Sequence, residues 1–402
     1  MRDSRRILVF AATALTLCLP GCRRGDGVDR IAADAENHDF LLDLPGRRVI
    51  HIAGAYPRKT YLCSQAFPGG RKRSFRLPGY SLTGRPFLLR DGRTVLIAAK
   101  HYGDEHSEGV STELLLRVDL EAGEILRAYE LPDGAVIRAF AQPRWSPAPV
   151  IAIQDGTVAR IARLDARTDL KTGGIRLAAV LGGEMAIAED YPTIAAVALD
   201  RLGAGALRLF EAGSGRKGRE VGLQSPRHLE ARGSGHWLVT VEDANGGGVV
   251  VDFNDSLQKV RTLLSTPGRV ESVVLGDRWL YAIALAPQVR SAATKAWVRP
   301  RELHRVDLTG ADRSRTFPWT EREGALLGLD EVAGRLYFAV TDQDDAAVWS
   351  IPTDVRVLER LGPDIDRPVR ATSGQVYLAV FGALVAAFVV GLAYVLTSEP
   401  GV

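Results

Sequence analysis

Two histidines and two acidic residues lie close together in one short polar stretch of the sequence. His101, Asp104, Glu105 and His106 occur within six positions, and imidazole and carboxylate groups are the ligands that zinc-type sites use. Their spacing matches no established metal-binding motif. The stretch is therefore interpreted either as a metal site formed by His101, Asp104 and His106 or as a solvated loop. A metal ion is the one cofactor that the sequence suggests.

A second stretch combines an aromatic side chain with several cations. Trp297, Arg299 and Arg301 lie at the end of a long segment, residues 286–301. Trp and Arg are enriched where proteins bind one another. We interpret these three residues as a contact site for a partner protein. The alternative is a flap that folds over its own sheet.

Motifs for catalysis are absent from the sequence. It contains no G-x-S-x-G, no phosphate-binding loop and no H-E-x-x-H, the patterns of serine hydrolases, nucleotide sites and zinc proteases. No catalytic residue is predicted.

Two acidic segments, 243–246 and 342–345, lack a full calcium-loop pattern and are interpreted as turns. The net charge of +3 provides no basic field, so nucleic acid is not expected as a partner.

All of these segments lie between the strands of a repeated unit. The clearest copy contains four predicted strands, at residues 86–90, 94–99, 113–119 and 124–131. Asp91 and Gly92 form a hairpin signal between the first two strands. A turn at 121–123 separates the last two.

Mostly apolar runs that match the second strand of this copy recur at intervals of 42 to 56 residues. They begin at Val49, Val95, Val150, Ile194, Leu238, Leu280 and Leu336. A four-stranded unit repeated every 40 to 50 residues or so is typical of a propeller blade. We therefore predict an all-β fold in which residues 39–361 form a seven-bladed β-propeller.

The blade pattern of strand, Asp-Gly turn, strand, loop and xxVDLxxGxxL resembles known propeller families. It is similar to the YVTN and quinoprotein-dehydrogenase-like propellers and, more loosely, to WD40 rings. Those families include electron-transfer subunits, lactone hydrolases and assembly scaffolds. No catalytic motif of theirs is matched residue by residue, so the resemblance, which covers residues 40–361, implies the architecture alone.

Residues 1–22 have the pattern of an export signal. Three arginines precede a 13-residue apolar core, and the following Leu-Pro-Gly-Cys resembles the lipobox of bacterial lipoproteins. Cys22 is therefore predicted to be lipidated; the alternatives are an uncleaved anchor and a simple signal peptide. The paired arginines also resemble a twin-arginine signal, so the export route is open. Polar residues 23–38 are interpreted as a tether.

A longer apolar stretch lies near the carboxyl end. Residues 376–396 are 21 consecutive uncharged residues. As a helix they would extend about 32 Å and span a bilayer. We predict a transmembrane helix at 375–397, after a linker at 362–374 and before a tail at 398–402. Small residues recur at every fourth position: Ala379, Ala383, Ala387 and Gly391. They form either a face for a membrane partner or a homodimer, or the ordinary composition of a membrane helix.

The two membrane signals give opposite orientations. Four arginines precede the final helix and no Lys or Arg follows it, which alone would place the propeller inside the cell. Because the first hydrophobic segment usually dominates, we expect the propeller on the periplasmic or extracellular side of the cytoplasmic membrane.

Two functions fit the sequence. The first is a membrane-anchored interaction scaffold of the bacterial cell envelope, whose partner is a membrane or envelope protein. The alternative is an envelope enzyme of quinoprotein-like or lactonase-like type, with its site in the central channel.

Overall fold

Seven similar sheets account for nearly all of the secondary structure. The computed structural model describes residues 29–359, except for residues 36–39, 55–59, 68–69, 103–110, 157, 166, 178–182, 200–203, 291–296, 311–313, 320–323 and 343–344. The described residues form seven four-stranded antiparallel sheets, the blades of a β-propeller. The predicted seven-bladed, all-β fold is confirmed.

The first four blades follow the chain in order. Blade 1 contains β2 (Leu41–Asp43), β3 (Arg48–Ala53), β4 (Tyr61–Ala66) and β5 (Lys72–Arg76). Blade 2 contains β6 (Tyr80–Leu88), β7 (Thr94–Tyr102), β8 (Ser111–Asp119) and β9 (Glu124–Glu130). Blade 3 contains β10 (Val136–Ala141), β11 (Val150–Asp155), β12 (Val158–Arg163) and β13 (Ile175–Arg176). Blade 4 contains β14 (Met185–Ile187), β15 (Thr193–Leu199), β16 (Ala204–Glu211) and β17 (Lys217–Gln224).

The last three blades include two departures from this order. Blade 5 contains β18 (Leu229–Arg232), a short 3-10 helix (Gly233–Gly235), β19 (His236–Glu242), β20 (Gly248–Phe253) and β21 (Lys259–Thr266). Blade 6 contains β22 (Val270–Leu275), β23 (Trp279–Leu285), β26 (Arg301–Asp307) and β27 (Arg315–Pro318). A separate pair, β24 (Val289–Arg290) and β25 (Trp297–Val298), lies between β23 and β26 in sequence. Blade 7 contains β28 (Gly324–Asp330), β29 (Arg335–Asp342), β30 (Asp345–Pro352) and β1 (Asp29–Ala35), and helix α1 (Val355–Leu358) follows β30.

Each of the seven apolar runs predicted to be a second strand is the second strand of a blade. Both faces of these strands are apolar because each blade is packed between two neighbours. In β3, Val49 belongs to the cluster that contains Tyr337 and Val348 of blade 7. The next residue, Ile50, belongs instead to the cluster that contains Val95 of blade 2. Since successive side chains of a strand point to opposite faces, one strand contributes to two inter-blade cores.

The first strand of each blade lies innermost. Contacts join β2 to β6, β10 to β14, β14 to β18 and β22 to β28, all of them first strands. In a propeller these strands surround the central channel. Residues at this edge are therefore positioned by seven different segments of the chain.

The first strand of blade 2 begins earlier than the sequence predicts. The sequence pattern predicts its start at Pro86. In the structure β6 begins at Tyr80, and a register shift between Thr83 and Phe87 absorbs Pro86 in a bulge. Bulges and edge strands are the places where a sheet tolerates proline.

Blade 7 is completed by the amino-terminal strand. β1 pairs antiparallel with β30, with Asp29 opposite Ser350 and Ala35 opposite Ala346. This strand lies inside the segment 23–38 that was interpreted as a tether. The last copy of the repeat contributes only three strands before α1, so the outer edge of β30 would otherwise present unpaired backbone groups. Both ends of the described chain thus meet in one blade.

Candidate functional site

Four of the described innermost strands contain a β-bulge against the second strand of their blade. The bulges include Arg85 in β6, Arg138 in β10, Glu271 in β22 and Leu327 in β28. A bulge takes a residue out of the regular alternation and redirects its side chain. Three of the four bulges therefore present a charged residue on the innermost strands.

An imidazole lies between two carboxylates at the junction of blades 4 and 5. His228 Nδ1 is 3.8 Å from Glu184 Oε2, and His228 Nε2 is 3.7 Å from Glu230 Oε2. The backbone fixes this arrangement, because Glu184 Oε2 accepts the Leu229 N–H at 2.8 Å. The backbone N–H of His228 donates to Thr240 Oγ1 at 3.0 Å. We refer to His228, Glu184 and Glu230 as the channel triad.

The surroundings of His228 favour its charged form. Burial opposes protonation, but the Glu230 and Glu184 carboxylates outweigh it and raise the pKa of the imidazole, with Arg85 of blade 2 acting against them. The protonated imidazole is therefore favoured beside the two carboxylates. Such an array can act as a general acid or base, or it can hold two blades together.

The channel triad has no counterpart among the sequence predictions. Its members come from two blades, and Arg85 comes from a third. Glu184 and His228 each directly precede an innermost strand. The two residues are 44 positions apart, so no short sequence motif contains both of them. The combination becomes visible only when the order of the blades around the ring is known.

The predicted contact segment contains a β-hairpin that is separate from its blade. β24 pairs with β25, with Arg290 opposite Trp297, and we call this pair the blade 6 hairpin. Arg299, just after it, is exposed. Arg301 differs: its side chain is 15% exposed, and its Nε donates to Glu271 Oε2 at 2.7 Å. Arg301 therefore contacts the bulge of its own blade, and a contact with a partner protein stays a prediction for all three residues.

A cleft lies at the base of the blade 6 hairpin. Its volume is about 480 Å³, and its lining includes Arg299 and Gln288 of blade 6 and Glu242 and Asn245 of blade 5. The blade 5 wall is held by Asp243, whose Oδ1 accepts the backbone N–H groups of Asn245 and Gly247 at 2.8 Å each. The segment 243–246 is thus a turn. The lining of this cleft is shared by two blades.

The predicted metal ligands are only partly described. His101 lies in β7, half-buried, with its ring centroid 5.0 Å from that of Tyr80. Asp104 and His106 lie outside the described residues. Among the residues that the structure describes, no group of three His, Cys, Asp or Glu side chains is arranged to hold a metal ion. The metal site stays a prediction.

The Asp of the repeated VDL pattern has a structural role. In blade 2, Asp119 accepts from Arg93 Nε at 2.7 Å and from the backbone of Glu121 at 2.8 Å. In blade 6, Asp307 accepts from Arg278 Nη2 at 3.1 Å and from the backbone of Thr309 at 2.9 Å. The most recognisable polar residue of the repeat therefore closes the turn after the third strand.

The membrane-related predictions lie outside the described residues. These are the lipidation of Cys22 and the helix face of Ala379, Ala383, Ala387 and Gly391. Over the part of the chain that the structure describes, no helix has the length and apolar character needed to cross a bilayer.

Comparisons with known proteins show the fold. No protein-family model matches the sequence, and no curated protein matches it significantly. The β-propeller domain of Cps50 (Swd1) from Myceliophteria thermophila is 11% identical, with a TM-score of 0.55 over 81% of this chain and 99% of that one. A chain of the mitotic checkpoint complex is 11% identical, with a TM-score of 0.52 over 83% and 94% of the two chains.

A prolyl endopeptidase is 13% identical, with a TM-score of 0.52 over 81% of this chain. The chain spans 50% of the length of that endopeptidase. At these identities the similarities show a β-propeller and nothing more specific.

Proposed function

We propose that this chain is a membrane-anchored interaction scaffold of the bacterial cell envelope, and that it holds its partner through the blade 6 hairpin and the cleft at its base. The observation that carries the proposal is the hairpin itself. It is a structured insert outside the blade sheet, and it adjoins a cleft of about 480 Å³ with exposed Arg299 on its wall. Inserts on a rigid ring are where binding surfaces tend to lie.

The polar residues of the repeat support a scaffold. Asp119 and Asp307 are both engaged in holding turns. One neighbour in fold belongs to the mitotic checkpoint complex, so a propeller takes part in a multiprotein assembly there. The partner expected here is an envelope or membrane protein with an acidic or polar surface that complements Arg299.

Both predicted anchors adjoin blade 7 in the sequence. β1 starts at Asp29, seven residues after Cys22. The predicted transmembrane helix follows the last strand of the same blade in the sequence, so both predicted anchors are joined to blade 7 along the chain.

The partner site is tested with one charge reversal and one matched control. Arg299→Glu and a variant in which a short Gly-Ser turn replaces residues 289–298 are compared with Arg216→Glu, an exposed arginine on blade 4. The measurement is the size of the cross-linked complex in native membranes. We expect the complex with wild type and Arg216→Glu, and its loss in the other two. A complex of unchanged size without the hairpin would contradict the proposal.

Orientation in the membrane is tested by labelling a single exposed cysteine. Val332 is fully exposed in a turn of blade 7, whereas Cys63 is buried. In spheroplasts, Val332→Cys is treated with a membrane-impermeant maleimide, and wild-type labelling is the background. We expect labelling without lysis. Labelling only after lysis would place the ring in the cytoplasm.

The channel triad favours a second candidate, an envelope enzyme with acid–base chemistry in the central channel. Lactones and esters are the substrates to test, because their hydrolysis uses a general base. Hydrolysis by the wild type that falls at least about a hundredfold in His228→Gln would support this function. Equal rates in the two proteins would exclude a catalytic role for His228.

A further inference from the structure

An apolar cavity lies between blades 2 and 3, away from the blade 6 hairpin. Its volume is about 660 Å³, and its apolar lining includes Leu41, Phe87, Leu131, Ile137 and Phe140. Sites for small molecules usually have volumes of about 300–1,000 Å³ and mostly apolar walls. We call it the blade 2–3 cavity.

Two bulges on facing innermost strands accompany the cavity. β6 bulges at Gly84–Pro86 and β10 bulges at Arg138. The neighbouring pairs β2 with β6 and β10 with β14 are in direct contact, whereas β6 and β10 contact each other little. The blade 2–3 cavity therefore lies beside two β-bulges, one in β6 and one in β10.

The polar groups of the cavity are mainly cationic. Arg85, Lys100 and Arg138 line it, and among the lining residues that the structure describes Glu113 is the one with a negative charge. Glu113 Oε1 lies 3.5 Å from Lys100 Nζ, so these two charges balance each other. Arg138, on the bulge of β10, adds a positive charge to this balanced pair, whereas Arg85 also acts on His228 of the channel triad. The charge of Arg138 lies next to an apolar surface.

Arg138 is held in one orientation. Its Nε donates to Gln154 Oε1 at 2.7 Å, and Gln154 Nε2 donates to the Gly156 carbonyl at 2.9 Å. A guanidinium fixed through Nε can present its Nη groups as a fork to an anion. The orientation of this side chain is therefore established before any ligand binds.

A flat aromatic surface lies beside these cations. Phe87 and Phe140 stack with ring centroids 5.4 Å apart and an interplanar angle of 16°. One ring belongs to each blade, so the pair joins the two walls of the cavity. An aromatic or flat aliphatic ligand can pack against these rings.

We propose that the blade 2–3 cavity binds a small amphipathic anion, an apolar carboxylate whose body packs against Phe87 and Phe140 and whose charge is held by Arg138. The proposal does not depend on the partner site of the blade 6 hairpin, which lies on other blades. It assigns a ligand class to a cavity that no sequence motif indicates.

The test uses a matched pair of probes on the full chain in lipid nanodiscs, with empty nanodiscs as the reference. 2-Naphthoate has the anionic group and the flat body, and 2-naphthamide has the same body without the charge. Binding is measured by isothermal titration calorimetry. We expect saturable one-to-one binding of 2-naphthoate, at least about tenfold tighter than that of 2-naphthamide, a factor typical of one lost charged hydrogen bond.

Two variants and a control complete the test. Arg138→Gln removes the charge, and we expect it to abolish the preference for 2-naphthoate. Ala98→Leu fills the cavity at a residue of its wall, and we expect it to prevent binding of both probes. Arg144→Gln is the control, because this side chain is 75% exposed and does not line the cavity.

Three results would overturn the proposal: no saturable binding of 2-naphthoate, equal affinity for the two probes, or unchanged binding in Ala98→Leu. Melting curves establish that each variant is folded. If Arg138→Gln is unfolded, Ala98→Leu and the comparison of the two probes still decide the question.

Discussion

Glu331 of blade 7 accepts the backbone N–H of Trp279 of blade 6, with 2.8 Å between Oε1 and the nitrogen. The same carboxylate accepts from the backbone nitrogens of Arg278 at 3.0 Å and Asp277 at 3.2 Å. One side chain therefore binds three successive N–H groups in a turn of the neighbouring blade. This turn leads directly into the second strand of blade 6.

Loss of this carboxylate should weaken the junction between the two blades. We expect Glu331→Ala to lower the free energy of unfolding by about 2 kcal/mol, since hydrogen bonds to a charged group contribute about 1.5–3 kcal/mol. Urea unfolding is the measurement. Val332→Ala is the control in the same turn, because that side chain is fully exposed. Equal stability of the two variants would contradict this role of Glu331.

Stability should decrease as pH rises through the raised pKa of His228. Its pKa is raised in the folded protein by Glu230 and Glu184, against the effect of burial. The stabilisation is fully present below the ordinary pKa of 6.5 and is lost as pH rises through the raised value. The measurement is the unfolding midpoint from pH 5 to 9 for wild type and His228→Gln.

The quantity to compare is the difference in unfolding midpoint between wild type and His228→Gln, because His304 also contributes to the pH dependence of stability. Burial lowers the pKa of His304, and its contribution therefore increases with pH. Only the difference between wild type and His228→Gln isolates the channel triad. A difference that stays constant with pH would show that the triad does not stabilise the ring.

Acid should weaken the turns that follow the third strands. The hydrogen bond from Arg93 lowers the pKa of Asp119 to about 2, and that from Thr309 contributes most to lowering the pKa of Asp307 to about 2. Their stabilisation is present above the ordinary value of 3.8 and is lost as pH falls through about 2. We expect Asp119→Asn to be less stable than wild type at pH 7, with the difference shrinking between pH 4 and 2. Asp133→Asn, in an exposed turn, should match wild type throughout.

Two glycines with the same backbone conformation should respond differently to substitution. Gly123 has φ +72 and Gly134 has φ +73, but a Cβ at Gly123 would overlap the ring of Phe75, while a Cβ at Gly134 would have open space among the described residues. We expect Gly134→Ala to cost about 1 kcal/mol for the left-handed conformation. Gly123→Ala should cost about 1–3 kcal/mol more, because Phe75 of blade 1 must move. Chemical unfolding of both variants measures the difference, and equal costs would show that Phe75 yields freely.

Replacement of β1 should open blade 7. We expect a full chain with Gly and Ser at residues 29–35 to unfold at a lower temperature and to aggregate, because the edge of β30 becomes available. Thermal unfolding and light scattering are the measurements. The same composition at the six residues 23–28, before β1, is the control for the Gly and Ser composition. Unchanged stability would mean that blade 7 is complete with three strands.

The ring could be predicted from sequence because its second strands are buried on both faces. Val49 and Ile50 illustrate this: each faces a different blade, so the run stays apolar and stands out at every repeat. β1 could not be predicted in the same way, because it has charged residues and its partner lies at the other end of the repeat array.

The candidate sites were less accessible to sequence analysis for a related reason. The segment around Trp297 was recognised by its composition, and the structure adds that it contains a hairpin. The channel triad and the blade 2–3 cavity depend on which blades are neighbours and on bulges that shift the register. Pro86 signals one of these bulges, but in the sequence it indicates the start of a strand.

The pairing of β1 with β30 also determines when the ring can close during translation. Asp29 leaves the ribosome about 320 residues before its partner Ser350, which at about 5–20 residues per second is an interval of roughly 15 to 60 s. During this time the ring cannot close, whatever the other six blades have done. A nascent chain of this protein therefore remains open until β30 has been synthesised, and factors that act on unfinished chains have that interval in which to bind it.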